Sequence, residues 1–472
     1  MKIRSILLNL FFAFIFLLIS IFINLDPDAI LIYIFSYVFA LFLGNTILTI
    51  GGIRSNLADV SMFFGVFLVC LLSILQFDHI VSNGSRESPA IFSDAGNYYE
   101  LGVELSNVSN ILEYAADNPG EINHWGYPMF LGILFSVFGI DIIWGMIANI
   151  FIFVFNLCII GILAKKLTQS DKVAGYTFLL AVFYGQFIST GMILLKDGLI
   201  TMSVLLITLM LIEIYNKILS PLRVILLLFA TSLLAVFRAQ YIFAPLLLYI
   251  FIFRIKFKNF FLLLPILVIL LWGGMFLGET YTTTEYNVDS IERQAIGSDG
   301  RMQESWGSGE ESFMNRIVSG YESWSLVKRA IYMPIFIGIQ YLTPFYIWDF
   351  EISFDHGYYS YPARNMNLFW FIIIGPLIFI GLYCVVKKRK EFPLLFSVGL
   401  SGALMYAVPA FIRAGTVPRY AIPFVMIMLP CGGWLINMIK SDIEIKKVFL
   451  KFIKIYYFSG FFAIIIYLLV KI

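Results

Sequence analysis

The sequence predicts an all-α protein that crosses a membrane many times, and three observations carry that expectation. Hydrophobic residues make up 60% of the 472 and charged residues only 13%, far from the balance of soluble domains. Mean hydropathy is +0.89. Apolar runs of about 20 residues recur along the chain, the length a helix needs to cross a bilayer core. The short alternating segments of a transmembrane β-barrel are absent.

Taken in order, Met1-Lys2-Ile3-Arg4 precedes a first apolar stretch. It is too long for a signal peptide and lacks a small-residue cleavage site, so it reads as a retained helix. Spans are expected near 5–25, 29–50, 57–77, 141–163, 174–194, 198–216, 222–237, 240–254, 259–277, 367–386, 393–411, 420–439 and 450–470. The runs 126–140 and 331–347 are shorter and broken by Pro or Gly, which suits re-entrant or interfacial segments. These divide the chain into a three-helix start (1–77), a first polar loop with juxtamembrane helices and a half-helix (78–140), a central bundle (141–278), a second polar loop (279–366) and a closing set of helices (367–472).

Charge bias then sets sidedness. With the N-terminus cytoplasmic, 20 of the 32 basic residues fall in short cytoplasmic turns, among them Lys165, Lys166 and the run Lys387 to Lys390. Asp94, His124, Lys196, Asp197, Arg238, Arg413 and Arg419 then all fall on the opposite side. Polar groups expensive to hold at a bilayer converge on one face. In the first loop, Tyr98, Leu101 and Leu105, then Val108, Ile111, Leu112 and Ala115, recur at helical spacing. Two amphipathic surface helices are expected there, the second ended by Asn118-Pro119-Gly120.

Several function classes lose support. The net charge of +2 is spread over membrane-flanking clusters, so nucleic acid is not an expected partner. The four cysteines lie in apolar runs without CxxC spacing, and three histidines make no metal tract. No glycine-rich phosphate loop supports a nucleotide site.

One ordered series of motifs resembles the GT-C superfamily of membrane glycosyltransferases, which use polyprenyl-phosphate sugars. An early loop holds an Asp followed by Tyr (Asp94 to Tyr98). A half-helix begins Gly126-Tyr127-Pro128 and runs to Phe138-Gly139. A helix ends in the basic turn Ala164-Lys165-Lys166-Leu167, and the next is followed by Lys196-Asp197. A later one ends Phe237-Arg238-Ala239-Gln240-Tyr241, and Arg419-Tyr420-Ala421-Ile422-Pro423 opens another. The series covers roughly residues 90 to 440. Many relatives start the half-helix with paired prolines where this chain has His124-Trp125-Gly126, and two extra helices precede the usual first one.

The resemblance implies a GT-C-like bundle of about 12–14 transmembrane helices with two long non-cytoplasmic loops. It implies transfer of a sugar from a polyprenyl-phosphate carrier to a glycan or lipid acceptor. Such chemistry needs a base for the acceptor hydroxyl and cations for the leaving phosphate. Asp94 is the expected base, with a divalent metal an open option. Arg238, Arg413, Arg419 and Lys196 are the expected phosphate clamp, and Tyr98, His124, Asp197 and Tyr420 the remaining substrate contacts. Blander roles stand beside these: Asp94 or Asp197 as helix caps, Lys196 snorkelling, Arg413 or Arg419 as interfacial anchors, and His124 with Trp125 as an interfacial pair. A repeat-unit polymerase for O-antigen or capsule is the near alternative, its outer-loop arginines being Arg293, Arg301 and Arg316. A transporter or flippase of lipid-linked glycan is the more distant one. The short loops and the Lys-, Phe- and Ile-rich composition suit a bacterial cytoplasmic membrane with the site on its outer face.

Overall fold

The computed structural model describes residues 15, 27–91, 93–108, 114, 126–217, 220–238, 241, 243–253, 326–342, 365–413 and 418–471. Among them all regular structure is helical. The helices are α1 Pro27–Ile50, α2 Asn56–Ser82, α3 Ser93–Ser106, α4 Gly126–Phe138, α5 Ile142–Thr168, α6 Asp171–Val182, α7 Gly185–Ser189, α8 Asp197–Tyr215, α9 Pro221–Arg238, α10 Phe243–Phe253 and α11 Leu326–Leu342. They are followed by α12 Asn367–Lys387, α13 Pro393–Arg413, a 3-10 turn Pro418–Ala421, α14 Ile422–Met438 and α15 Ile443–Lys471. Seven are long and apolar enough to cross a membrane: α1, α2, α5, α8, α9, α12, and α14 with its preceding turn. The chain is therefore an all-α, multi-pass membrane architecture. The expected spans 5–25 (Ile15 apart) and 259–277 lie outside the described residues, as does the loop 279–325 with Arg293, Arg301 and Arg316.

Local chemistry explains where the helices begin. Ser55, Asp141 and Ser170 are extended residues whose side chains accept from Ala58 N, Ile143 N and Val173 N, satisfying donors that the first turns of α2, α5 and α6 leave open. Pro221 and Pro393 open α9 and α13, where a missing N–H is harmless. Inside α12, Pro376 cannot donate to the carbonyl four residues back, Ile372 O, and the helix widens into a π turn over Trp370–Ile374. Tyr457 of α15 donates to that same Ile372 O, and Tyr456 donates to Phe371 O at 2.8 Å.

Helices α5, α6, α8 and α14 form the centre of the bundle, with α2 against α5 and α6. The most apolar stretch of α14 is 83% buried, whereas that of α9 is 24% buried and that of α1 33%. The outer helices turn Phe35, Phe39, Phe42 and Leu228 outward, which in a bilayer is contact with lipid. The basic groups expected in cytoplasmic turns gather at one end. Lys165 donates to Gly52 O and pairs with Asp171 at 2.9 Å; Lys166 pairs with Glu213, which also takes Arg223 at 3.2 Å. Lys388 pairs with Asp442 at 3.6 Å.

One expected element is corrected. The run 174–194 is not a single helix: α6 stops at Val182, and after the single turn of α7 the chain continues without regular helix to Lys196. Hydropathy counts apolar residues and cannot register that Asn149 of α5 takes the carbonyl of Ile193 in this stretch. Helix α4 has 13 residues and spans about 20 Å, short of a bilayer core. Helix α11, 17 residues with Pro334 inside, is also short.

Where the first amphipathic helix is expected, the structure has α3, which lies on α4. Their crossing is close because two glycines face each other's helix. A Cβ on Gly102 would stand 2.8 Å from Leu131 Cβ, and one on Gly132 would stand 2.9 Å from Leu105 Cβ. Small residues at such crossings let helices approach where lipid offers no hydrophobic drive. The expected second surface helix lies outside the described residues except Tyr114, which bonds Glu104 at 3.2 Å.

Candidate functional site

Helix α3 begins at Ser93, so Asp94 sits in its first turn rather than capping it. There a carboxylate is favoured by the exposed N–H groups of the helix start. Its Oδ2 meets Arg419 Nη2 at 2.5 Å, across a separation of 325 residues. Arg419 comes from the 3-10 turn before α14, and its side chain is only 8% exposed. It is therefore a buried member of the site and not an interfacial anchor.

Beside that pair stands a second. Arg238, the last residue of α9, places Nη1 3.8 Å from Asp197 Oδ1, with side chains 6% and 4% exposed. This is an ionic contact without a hydrogen bond, and Arg238 Nη1 has no hydrogen-bond partner. The guanidinium lies 4.0 Å over the Tyr420 ring and 5.4 Å from that of Tyr241. Tyr241 in turn donates to Tyr420 O at 2.7 Å, fastening the end of α9 to the 3-10 turn.

Lys196 completes the group. It is 2% exposed, stands 5.5 Å over the Tyr98 ring, and its ammonium has no hydrogen-bond partner. Snorkelling would bring that ammonium to water, so the buried position rules it out. Burial pushes the Tyr98 phenol above the usual range, with the charge of Asp94 adding to the rise and that of Arg419 opposing it.

The positions of Lys196 and Asp197 follow from two asparagines of α5 that the sequence does not distinguish from ordinary polar members of an apolar run. Asn149 donates to Ile193 O at 2.5 Å and to Tyr127 OH at 2.9 Å; Asn156 donates to Gly198 O at 2.8 Å. The two side chains hold the interrupted stretch on both sides of Lys196-Asp197. Tyr127 then packs edge-on against Tyr98, centroids 5.4 Å apart. Along α5, Asn149 and Asn156 lie about 10 and 21 Å from Ile142, at 1.5 Å per residue. The charged group is therefore recessed inside the bundle.

Replacing Asn149 by leucine leaves Ile193 O and Tyr127 OH without that donor, and the expected cost is about 1–3 kcal/mol. This is read as a lower midpoint of thermal unfolding in detergent micelles. An unchanged midpoint would show that these bonds do not hold the segment.

The structure thus brings together Asp94, Tyr98, Lys196, Asp197, Arg238, Arg419 and Tyr420. His124 lies outside the described residues. Arg413 closes α13, and its side chain is outside the described set. Among the described residues no three His, Cys, Asp or Glu side chains converge on a metal-sized site. Chemically the arrangement holds three buried basic side chains and two carboxylates, one of which, Asp94, is 36% exposed. Comparison of the chain with protein-family models, with curated proteins and with solved structures finds no match in any of the three.

Proposed function

We propose that the chain is an integral membrane glycosyltransferase that moves a sugar from a polyprenyl-phosphate carrier to a glycan or lipid acceptor. The observation that carries this reading is a pair of buried cationic groups, Lys196 Nζ and Arg238 Nη1, neither with a hydrogen-bond partner. Buried charges ordinarily find acceptors. With Asp94 and Asp197 offset by Arg419 and Arg238, the ammonium leaves a surplus positive charge, and the group that answers it is an anion. Because the cations are recessed among membrane helices, an anion carried on a lipid reaches them from within the bilayer.

The reaction follows from the exposures. Asp94, at the open rim, takes the proton of an acceptor hydroxyl as its oxygen attacks the anomeric carbon. The bond from that carbon to the phosphate oxygen breaks, and its electron pair leaves with the phosphate. Lys196 and Arg238 receive the developing charge where low polarity makes their contribution large. Arg419 orients the carboxylate. A single displacement of this kind inverts the anomeric configuration.

A second reading has one observation in its favour. Cations on an interrupted helix inside a bundle also suit a transporter of lipid-linked glycan. The test reconstitutes the full chain in liposomes with a radiolabelled polyprenyl-phosphate hexose and mixed glycan and lipid acceptors. The expected outcome is label transferred to acceptor. Translocation of intact donor without transfer would favour the flippase, and activity confined to diphosphate-linked oligosaccharides would favour the repeat-unit polymerase.

A further inference from the structure

A second group of buried hydrogen-bonding atoms lies where the interrupted stretch meets the start of α12. Asn367 is 0% exposed, and neither its amide nitrogen nor its amide oxygen has a partner. Gln186, in α7, is 3% exposed, and its Oε1 is also unpartnered. The turns that carry them pack together. Phe183 stands 5.0 Å from Phe369 and Tyr184 stands 5.3 Å from Trp370, centroid to centroid. A buried amide without a hydrogen bond loses its hydration with nothing in return. An apolar residue of similar size would fill either position without that penalty.

We propose that Gln186 and Asn367 form a subsite for sugar hydroxyls, beside the packed rings of Tyr184 and Trp370. The inference rests on the sugar-phosphate reading above and assigns where the donor's sugar lies. Three unpartnered atoms are available, two acceptors and one NH2 donor. A hydroxyl both donates and accepts, so neighbouring hydroxyls of a hexose use all three. A phosphate only accepts and would use one. The indole N–H of Trp370 already donates to Tyr341 O at 3.1 Å, and its ring already packs on Tyr184 and Tyr341, so recognition falls to the two amides. Gln186 also belongs to the same stretch, 183–196, that ends at Lys196, so one segment supplies contacts for both the sugar and the phosphate.

The test uses the full chain in a sugar-free detergent and three probes followed by titration calorimetry: farnesyl phosphate, farnesyl-phosphoryl-glucose and submicellar octyl glucoside. The sugar-bearing phosphate is expected to bind about tenfold tighter than the bare one, the increment of one to three good hydrogen bonds. Gln186→Leu and Asn367→Leu are expected to abolish that gain and leave bare-phosphate affinity unchanged. Both variants remove unpartnered polar atoms, so their melting midpoints should hold or rise, and retained phosphate binding certifies the fold. Equal affinity of the two phosphates for the wild type would overturn the subsite, and so would a gain that survives both substitutions. Octyl glucoside separates the subsite from the transfer reading. Binding that depends on Asn367 and Gln186 upholds the subsite even where Lys196→Met changes neither phosphate's affinity, a result that would sink the transfer reading alone.

Discussion

Replacing Lys196 by methionine is expected to weaken binding of a polyprenyl phosphate by about 10- to 150-fold while leaving the melting midpoint level or raised. The first effect is the loss of a charge-assisted hydrogen bond to the phosphate, about 1.5–3 kcal/mol, where 1.4 kcal/mol is a factor of ten. The second follows from what surrounds the ammonium without ligand. Its Nζ is buried and has no hydrogen bond, and its aromatic contact with Tyr98 is long at 5.5 Å. Methionine keeps the apolar stem against that ring and removes a charge that is costly to hold there. A lysine kept for structure behaves the opposite way, since deleting it would strand a partner and lower the midpoint. The paired readout therefore distinguishes the roles: calorimetry with farnesyl phosphate, and thermal unfolding of the same samples. Undiminished affinity removes Lys196 from the site, and a fall in both quantities assigns it to the fold.

The same contrast shows how much of this site the sequence exposes. Asp94, Lys196, Asp197, Arg238 and Arg419 are distant along the chain, yet hydropathy and the basic turns alone group all five together. That argument works because a charge in an apolar chain is costly wherever it stands and so carries information. The asparagines are cheaper and therefore quieter. Asn149 and Asn156 read as tolerated polar residues within α5, and only the fold reveals that each captures a carbonyl of the stretch around Lys196. For the same reason 174–194 passes for one helix. Its composition is apolar throughout, while the stretch after the break is tied at Ile193 O to Asn149 of α5. Asn367 is hidden in a third way, at the head of an apolar run where a polar residue ordinarily marks a helix start. That these charges share a region was legible, but their burial was not. Burial depends on how the interrupted stretch seats against α5, and that is a property of packing.

Asp94 tests the chemistry most directly. Asp94→Asn is expected to lower the turnover number for sugar transfer by 10²–10⁴-fold, the usual worth of a positioned base, with the donor's KM changed by only a few-fold. The amide keeps an oxygen for Arg419, so the contact that fixes the turn before α14 persists and the fold with it. Asp94→Ala does not have that property. It deprives a guanidinium that is 8% exposed of its carboxylate and is expected to lower the melting midpoint as well, because hydrogen bonds to buried charges are worth about 1.5–3 kcal/mol. The asparagine variant therefore isolates chemistry from structure. Asp94→Glu adds a further control: it restores a carboxylate one methylene out of place, and partial recovery is expected because the rim, where Asp94 is 36% exposed, has room for the longer side chain. Rates are measured in liposomes with a polyprenyl-phosphate hexose, and farnesyl-phosphate titration confirms that the buried cations are intact in each variant. Transfer by Asp94→Asn at the wild-type rate would confine Asp94 to its contact with Arg419. The proton would then have to leave by another route, and among the side chains around Lys196 the nearest candidate is Asp197, whose carboxylate faces Arg238 at 3.8 Å.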